Sequence, residues 1–230
     1  MSGFRVFIDP GHGGKDPGTC GNGLQEKNIV LDLAMRLAKA LENYNCQIML
    51  SRHKDVYVDN GDRAKAANAW GADLYFSIHV NGHTNINANG YEDFTYLSVP
   101  PETTDIRKAV HTKLSSVWFN AGRANRGMKT ANFQVLRETR MSAVLVENGF
   151  ITNPQDAELL KQESFRQDLA EAMAAGIADA LNLETKVQED DGTKLLRKEV
   201  KELRRELAKT IQEMEGLRDK LNQIRAIIFE

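Results

Sequence analysis

Cysteine is scarce in this chain: of its 230 residues only Cys20 and Cys46 carry a thiol. Two such residues make neither a C-x-x-C metal spacing nor a disulfide framework, so both are expected to be free. A charge surplus is also missing. The net charge is -2, whereas a dedicated nucleic-acid binder carries a basic excess, so no nucleic-acid partner is expected. No apolar stretch approaches the ~20 residues that a spanning helix needs, which argues against membrane insertion. The first residues, MSGFRVFIDPGHGG, lack a charged segment followed by an apolar one. The expectation is therefore synthesis in a cytoplasm without a signal peptide. The segment GHGGK lacks the G-x-x-x-x-G-K-[ST] spacing of a phosphate-cradling loop, which removes nucleotide binding at that point.

What is present is globular in character. Apolar residues make up 41% and charged residues 27%, ordinary values for a folded domain. The length suits one enzyme domain and an appendage. Short β-rich runs alternate with helical patterns. Residues 4–9 (FRVFID), 47–51 (QIMLS), 74–79 (LYFSIH), 91–97, 133–136 and 143–147 (AVLVE) read as strands. Residues 26–44 place Val30, Leu33, Leu37 and Leu41 at helical spacing, and 62–70, 103–121 and 164–182 also read as helices. This alternation predicts an α/β fold with a mostly parallel central sheet flanked by helices on both faces.

The composition changes after Leu183. VQEDDGTK at 187–194 is polar and contains glycine, as linkers do. The expected organisation is a catalytic domain over 1–185, a linker over 186–193 and a heptad helix over 194–230. Residues 192–230 hold ten Lys/Arg against seven Asp/Glu. Val200, Leu207, Met214, Leu221 and Ile228 recur every seven residues, as do Leu196, Leu203, Thr210, Leu217 and Ile224. Nine of those ten are apolar, the signature of a coiled coil. With Val200 at position a, position e holds Arg197, Arg204, Arg218 and Arg225, and position g holds Glu199, Glu206 and Glu213, then Lys220. Those charges attract across a parallel pair and set Arg against Arg in an antiparallel one. The expectation is a homo-oligomer through a parallel helix of about 50 Å, with a helix folded back on its own domain as the alternative.

Three chemistry-bearing segments fall where strands end. GHGGKDPG (11–18) follows the first strand, SIHVN (77–81) closes the third, and VENGFITN (146–153) closes a later buried one. Ligands in open α/β sheets bind beyond the carboxyl ends of strands, so His12, His79 and Glu147 are expected on one rim. Glu26 lies after the Gly-containing stretch GNGLQEKN, in the first turn of the first helix. Two imidazoles and a carboxylate suit catalytic zinc and leave a position for water. A strand-end histidine is nonetheless more often structural, and spacing leaves the metal open. Among the other polar residues, His83 is placed in a solvated or substrate-side loop, with a substitute metal ligand as the alternative, and His53 and His111 on the surface. Glu92 and Asp93 are placed on a solvated strand edge, with substrate contact as the alternative, and Gly149-Phe150 in a turn.

The segments FIDPGHGGKDPG, LQEKN, ADLYFSIHVN and VLRETRMSAVLVENGFITN, with a looser RAKAAN at 63–68, resemble the zinc-dependent N-acetylmuramoyl-L-alanine amidases. This is the family of bacterial autolysins and phage endolysins, sometimes called amidase type 3. The resemblance covers about residues 3–182. It implies one zinc ion held by His12, Glu26 and His79, with Glu147 as the catalytic residue. Glu147 would take a proton from water and return it to the leaving amine. The bond cut would join N-acetylmuramic acid to L-alanine in peptidoglycan. Met141-Ser142 stands where the family often has a proline, and no role passes to Arg63 or Asn68.

Two other readings remain. A zinc peptidase acting on wall peptides would liberate D-amino acids instead of new L-alanine amino termini. A non-catalytic wall-binding scaffold would bind zinc without clearing wall. A wall hydrolase lacking a signal peptide reaches its substrate at lysis. That favours a phage or prophage endolysin, or a mother-cell lytic enzyme of sporulation, acting on the wall after release.

Overall fold

The first strand carries an unbroken apolar run, Val6-Phe7-Ile8, buried on both faces, and this organises the molecule. The structure, a computed structural model, describes residues 3–186 and eight helical positions between 199 and 214. The remainder of the linker and heptad segment lies outside the described residues. In chain order the elements are β1 (Phe4–Pro10), β2 (Cys20–Gly21), β3 (Leu24–Gln25), α1 (Glu26–Leu41), β4 (Cys46–Leu50), α2 (Asn60–Trp70) and β5 (Leu74–Asn81). There follow β6 (Tyr91–Thr95), α3 (Pro101–Asn120), β7 (Asn125–Thr130), α4 (Gln134–Glu138), β8 (Ser142–Phe150), α5 (Pro154–Lys161) and α6 (Glu163–Leu181).

The main sheet has the order β4-β1-β5-β8-β6-β7. Strands β4, β1, β5 and β8 are mutually parallel, β6 runs antiparallel to β8, and β7 runs parallel to β6. The sheet is thus mostly parallel, as expected. Successive side chains point to opposite faces, so Val6 and Ile8 enter one core while Phe7 enters another. The larger core takes Phe76, Ile78, Val144 and Val146 from the sheet together with the apolar faces of α1, α3 and α6. Helix α1 contributes Ile29, Val30, Leu33, Leu37 and Leu41 at three- and four-residue spacing, which is one helical stripe. Each fully buried leucine contributes about 2 kcal/mol of hydrophobic stabilisation. The smaller core joins Phe7, Tyr75 and Leu145 to Ala67 of α2 and to Val135 and Leu136 of α4.

Three expectations change. Residues 133–136 are not a strand; they enter α4, which seats Val135 and Leu136 on the sheet. Four apolar-rich residues are too few for periodicity to separate helix from strand. The strand lies just upstream as β7, whose sequence NRGMKT is too polar and exposed to announce itself. Glu92 and Asp93 are not at a solvated edge: β7 lies outside β6, and the two are 4% and 0% exposed, Glu92 against Arg126 and Lys129 of β7 and Asp93 against Arg107 and His111 of α3. His111 is not a free surface residue: its Nδ1 lies 2.5 Å from Asp93 Oδ2. Helix α5 was not foreseen, although Asn153 accepts from the amides of Gln155 and Asp156 ahead of Pro154, an N-cap followed by proline at N1. Cys20 and Cys46 are free thiols. Among the described residues no helix is long and apolar enough to cross a membrane.

The end of β8 is fixed by Gly149. Its φ is +79°, and a Cβ there would lie 2.3 Å from Trp118 Cη2. Trp118 is fully buried and packs edge-on against Phe165 at 5.0 Å. Gly149→Ala is expected to lower stability by about 3 kcal/mol through left-handed strain and overpacking. A urea midpoint unchanged at constant slope would refute this.

Candidate metal centre

Glu26 begins α1, and a small hairpin delivers it there. Strands β2 and β3 are joined by Asn22-Gly23, both at positive φ (50° and 80°). An Asn-Gly pair with both residues left-handed makes the tight turn that matches strand twist. The Glu26 side chain is 3% exposed. Its Oε1 accepts the Val80 amide at 3.1 Å and its Oε2 the Thr19 amide at 2.8 Å.

Two imidazoles converge on that carboxylate. His79, near the end of β5, brings Nδ1 to 2.9 Å from Glu26 Oε1. His12, on the loop after β1, brings Nε2 to 3.1 Å from the same oxygen. The rings meet edge-to-face at 5.0 Å. One ligand atom from each of His12, Glu26 and His79 lies within 4.8 Å of the other two. Gly11 leaves the space for His79, since a Cβ there would sit 2.2 Å from the ring. His12 Nδ1 lies 2.8 Å from Asp16 Oδ2. A carboxylate on one ring nitrogen fixes the tautomer and leaves the other nitrogen's lone pair for a metal. Two imidazoles and a buried carboxylate are a donor set for catalytic zinc, so the residues fit a metal ion.

The electrostatics are those of a poised anion. Burial alone would raise the Glu26 pKa, but hydrogen bonds and charge from His12 and His79 more than reverse this and hold it well below the carboxylate range. Burial disfavours the His12 cation, yet Glu26 and Asp16 outweigh it and raise its pKa.

The loop carrying His12 rests on buried arginines. His12 has φ +59°, uncommon for a residue with a side chain. Arg63 donates to Pro10 O at 2.7 Å and to His12 O at 2.6 Å. Arg52 donates to Pro10 O at 3.0 Å, to Gly11 O at 2.7 Å and to Lys27 O at 2.9 Å. Three successive carbonyls are thereby held, and Lys27 ties the loop to the first turn of α1. Asp9 pairs with Arg63 at 2.7 Å and also accepts from Ser51, Tyr75 and Ser77.

Glu147 lies on β8 in register with His79 on β5. It lines the same open cleft as His12, Glu26 and His79, about 320 Å³ in volume, which Asn60, Phe133 and Gln134 also line. Its Oε2 is buried and has no hydrogen-bond partner among the described residues. Burial first, then the negative charges of Glu26 and Glu92, raise its pKa well above the usual carboxylate value. His83 is exposed, accepts the Asn85 amide and stands outside the donor cluster; His53 is exposed as well.

The sequence matches the profile of the family described as N-acetylmuramoyl-L-alanine amidase over residues 6–179. The chain belongs to this family. It is 47% identical over 182 residues to the sporulation-specific N-acetylmuramoyl-L-alanine amidase of Bacillus subtilis (strain 168), covering 78% of this chain and 69% of that one. It is 41% identical over 184 residues to the endolysin of Bacillus phage SPP1, covering 79% and 67%. The solved catalytic domain of CwlV, an N-acetylmuramoyl-L-alanine amidase from Bacillus (Paenibacillus) polymyxa var. colistinus, superposes with a TM-score of 0.74 at 29% identity, covering 79% and 99%. The chain is therefore an amidase that hydrolyses amide bonds of peptidoglycan.

Several residues of the amidase site were not foreseen. Asp16 had a signal, being an acid four residues after His12 on the same turn. Arg63 lay in the loosest matching segment and Arg52 in none. If Asp16 orients His12, Asp16→Asn should weaken divalent-metal binding by about 10- to 100-fold, read by competition with a chromogenic chelator. Unaltered affinity would exclude that role.

Proposed function

We propose that the amidase uses one zinc ion, held by His12, Glu26 and His79, and that Glu147 handles the proton in cleavage of the bond between N-acetylmuramic acid and L-alanine. The observation that carries this reading is the unpartnered Glu147 Oε2 in the cleft that holds the three donors. When bound, zinc acts as a Lewis acid on the amide carbonyl and makes water acidic enough to attack near neutral pH.

The protein's own groups do the rest. Glu26, pinned by two backbone amides, stays ionised and keeps both imidazoles turned inward. Glu147 takes a proton from the attacking water. Its raised proton affinity lets it hold that proton until the amide nitrogen leaves, and it then returns it. Asp16 holds the His12 ring at Nδ1. A zinc peptidase would place the same groups around a different amide, and a wall-binding scaffold would not need Glu147 poised. Product analysis separates all three.

We further propose that the enzyme is a phage or prophage endolysin whose 194–230 helix forms a parallel self-association. The SPP1 relative is itself an endolysin. The 47% identity to a sporulation-specific amidase favours a mother-cell lytic role as the second reading. Expression on prophage induction or on sporulation decides between them.

Glu147→Ala is expected to keep stoichiometric zinc and lose about 10²- to 10⁴-fold in release of L-alanine amino termini from purified wall. Retained activity would remove Glu147 from the mechanism. By light scattering the full chain should show a multiple of its monomer mass, and a chain ending at Lys186 should be monomeric. A monomeric full chain at micromolar concentration would refute self-association.

A further inference from the structure

One row of side chains runs across the sheet beyond Glu147. His79, Glu147 and Glu92 are register partners on β5, β8 and β6, and directly paired residues share a face. On the next strand, the β6–β7 register shifts between Tyr91 and Asp93, opposite Glu92. Such bulges re-aim side chains and concentrate beside active sites. This one brings Arg126 to Glu92, with Nε donating to Oε2 at 2.8 Å. Lys129 donates to the same oxygen. Asn81 Nδ2, at the cleft, donates to Oε1 at 2.7 Å.

Glu92 is buried, whereas Arg126 and Lys129 remain 32% and 39% exposed. Two cations share one carboxylate, so one positive charge is in excess. Arg126 is engaged through Nε, and its two Nη groups make no hydrogen bond among the described residues. Its guanidinium lies 4.7 Å over the Phe150 ring, which fixes the plane. A planar fork with both terminal nitrogens open matches a carboxylate bidentately.

Distance favours the same ligand. Neighbouring strands lie about 4.8 Å apart, so β7 sits about 10 Å from β8. An extended peptide advances about 3.5 Å per residue, so a carboxylate on the second stem residue falls within reach when the scissile amide lies at Glu147. We propose that Arg126 and Lys129 form a subsite for a stem-peptide carboxylate, so that the peptide arm lies over β6 and β7 and the glycan leaves past His12. This rests on the reacting bond lying at Glu147.

Two purified walls test it, alike except that the second stem residue bears a free carboxylate in one and a carboxamide in the other. L-Alanine amino termini released at low substrate are counted. The wild type should act about fivefold faster on the carboxylate wall. Arg126→Gln with Lys129→Gln should bring the ratio near one, and Arg126→Lys should restore part of it. Because the ratio is taken within one preparation, a lost fraction of folded enzyme cancels. Should the double variant not fold, Lys129→Gln alone should still lower the ratio. A wild-type ratio of one, or a ratio unchanged in the variants, overturns the subsite while leaving the hydrolysis intact. Full activity of Glu147→Ala would instead overturn the placement of the reacting bond, and the subsite with it.

Discussion

A carboxylate removed from water must be given partners, and the centre of this molecule is built on that constraint. Glu26 is nearly inaccessible, so leaving it unpaired would cost several kcal/mol. It draws two backbone amides and two imidazoles from three separate stretches of chain. A hairpin, a helix start, a loop and a strand end are thus held together by one side chain. Deep burial of that charge follows from the parallel sheet, whose strand ends open onto a rim that α1 can approach. The same low-dielectric surroundings that bind Glu26 to its partners raise the proton affinity of Glu147. Two carboxylates in one cleft are driven apart in proton affinity because one has cations or donors around it and the other has not.

The clamp beneath His12 belongs to the same logic. A left-handed histidine is strained unless its surroundings over-determine it. Arg52 and Arg63 do so by occupying carbonyl after carbonyl, and Asp9 neutralises the Arg63 charge. Burial would raise the Asp9 pKa; Arg63 and the hydroxyls of Ser51 and Tyr75 bring it below its ordinary value.

Where side-chain type and spacing repeat, the sequence was readable. Strands β1, β5 and β8 are β-rich apolar runs, and α1 and α6 carry clear helical stripes, so the sheet's core and two of its flanking helices were legible. His12, His79 and Glu147 could be placed on one rim because each follows or closes such a run, whereas Glu26 joined them as a ligand only through the family resemblance. What escaped depends on neighbours distant in sequence. Glu92 and Asp93 look solvated until β7 and α3 pack beside them, and His111 looks free until α3 brings it to Asp93. Arg52 and Arg63 act on backbone carbonyls, which leave no mark in a residue pattern. Residues 133–136 carried too few side chains to fix a period, and their fate was decided by packing on Phe94 and the sheet.

The arginine clamp has a consequence for how the metal enters the life of the protein. In small zinc modules the ion nucleates the fold, and without it the ligands scatter. Here the His12 loop is locked by guanidinium forks and the Glu26 carboxylate is pinned by backbone amides. The donor cluster is thus assembled by the protein's own hydrogen bonds, before any ion has to act as its organiser.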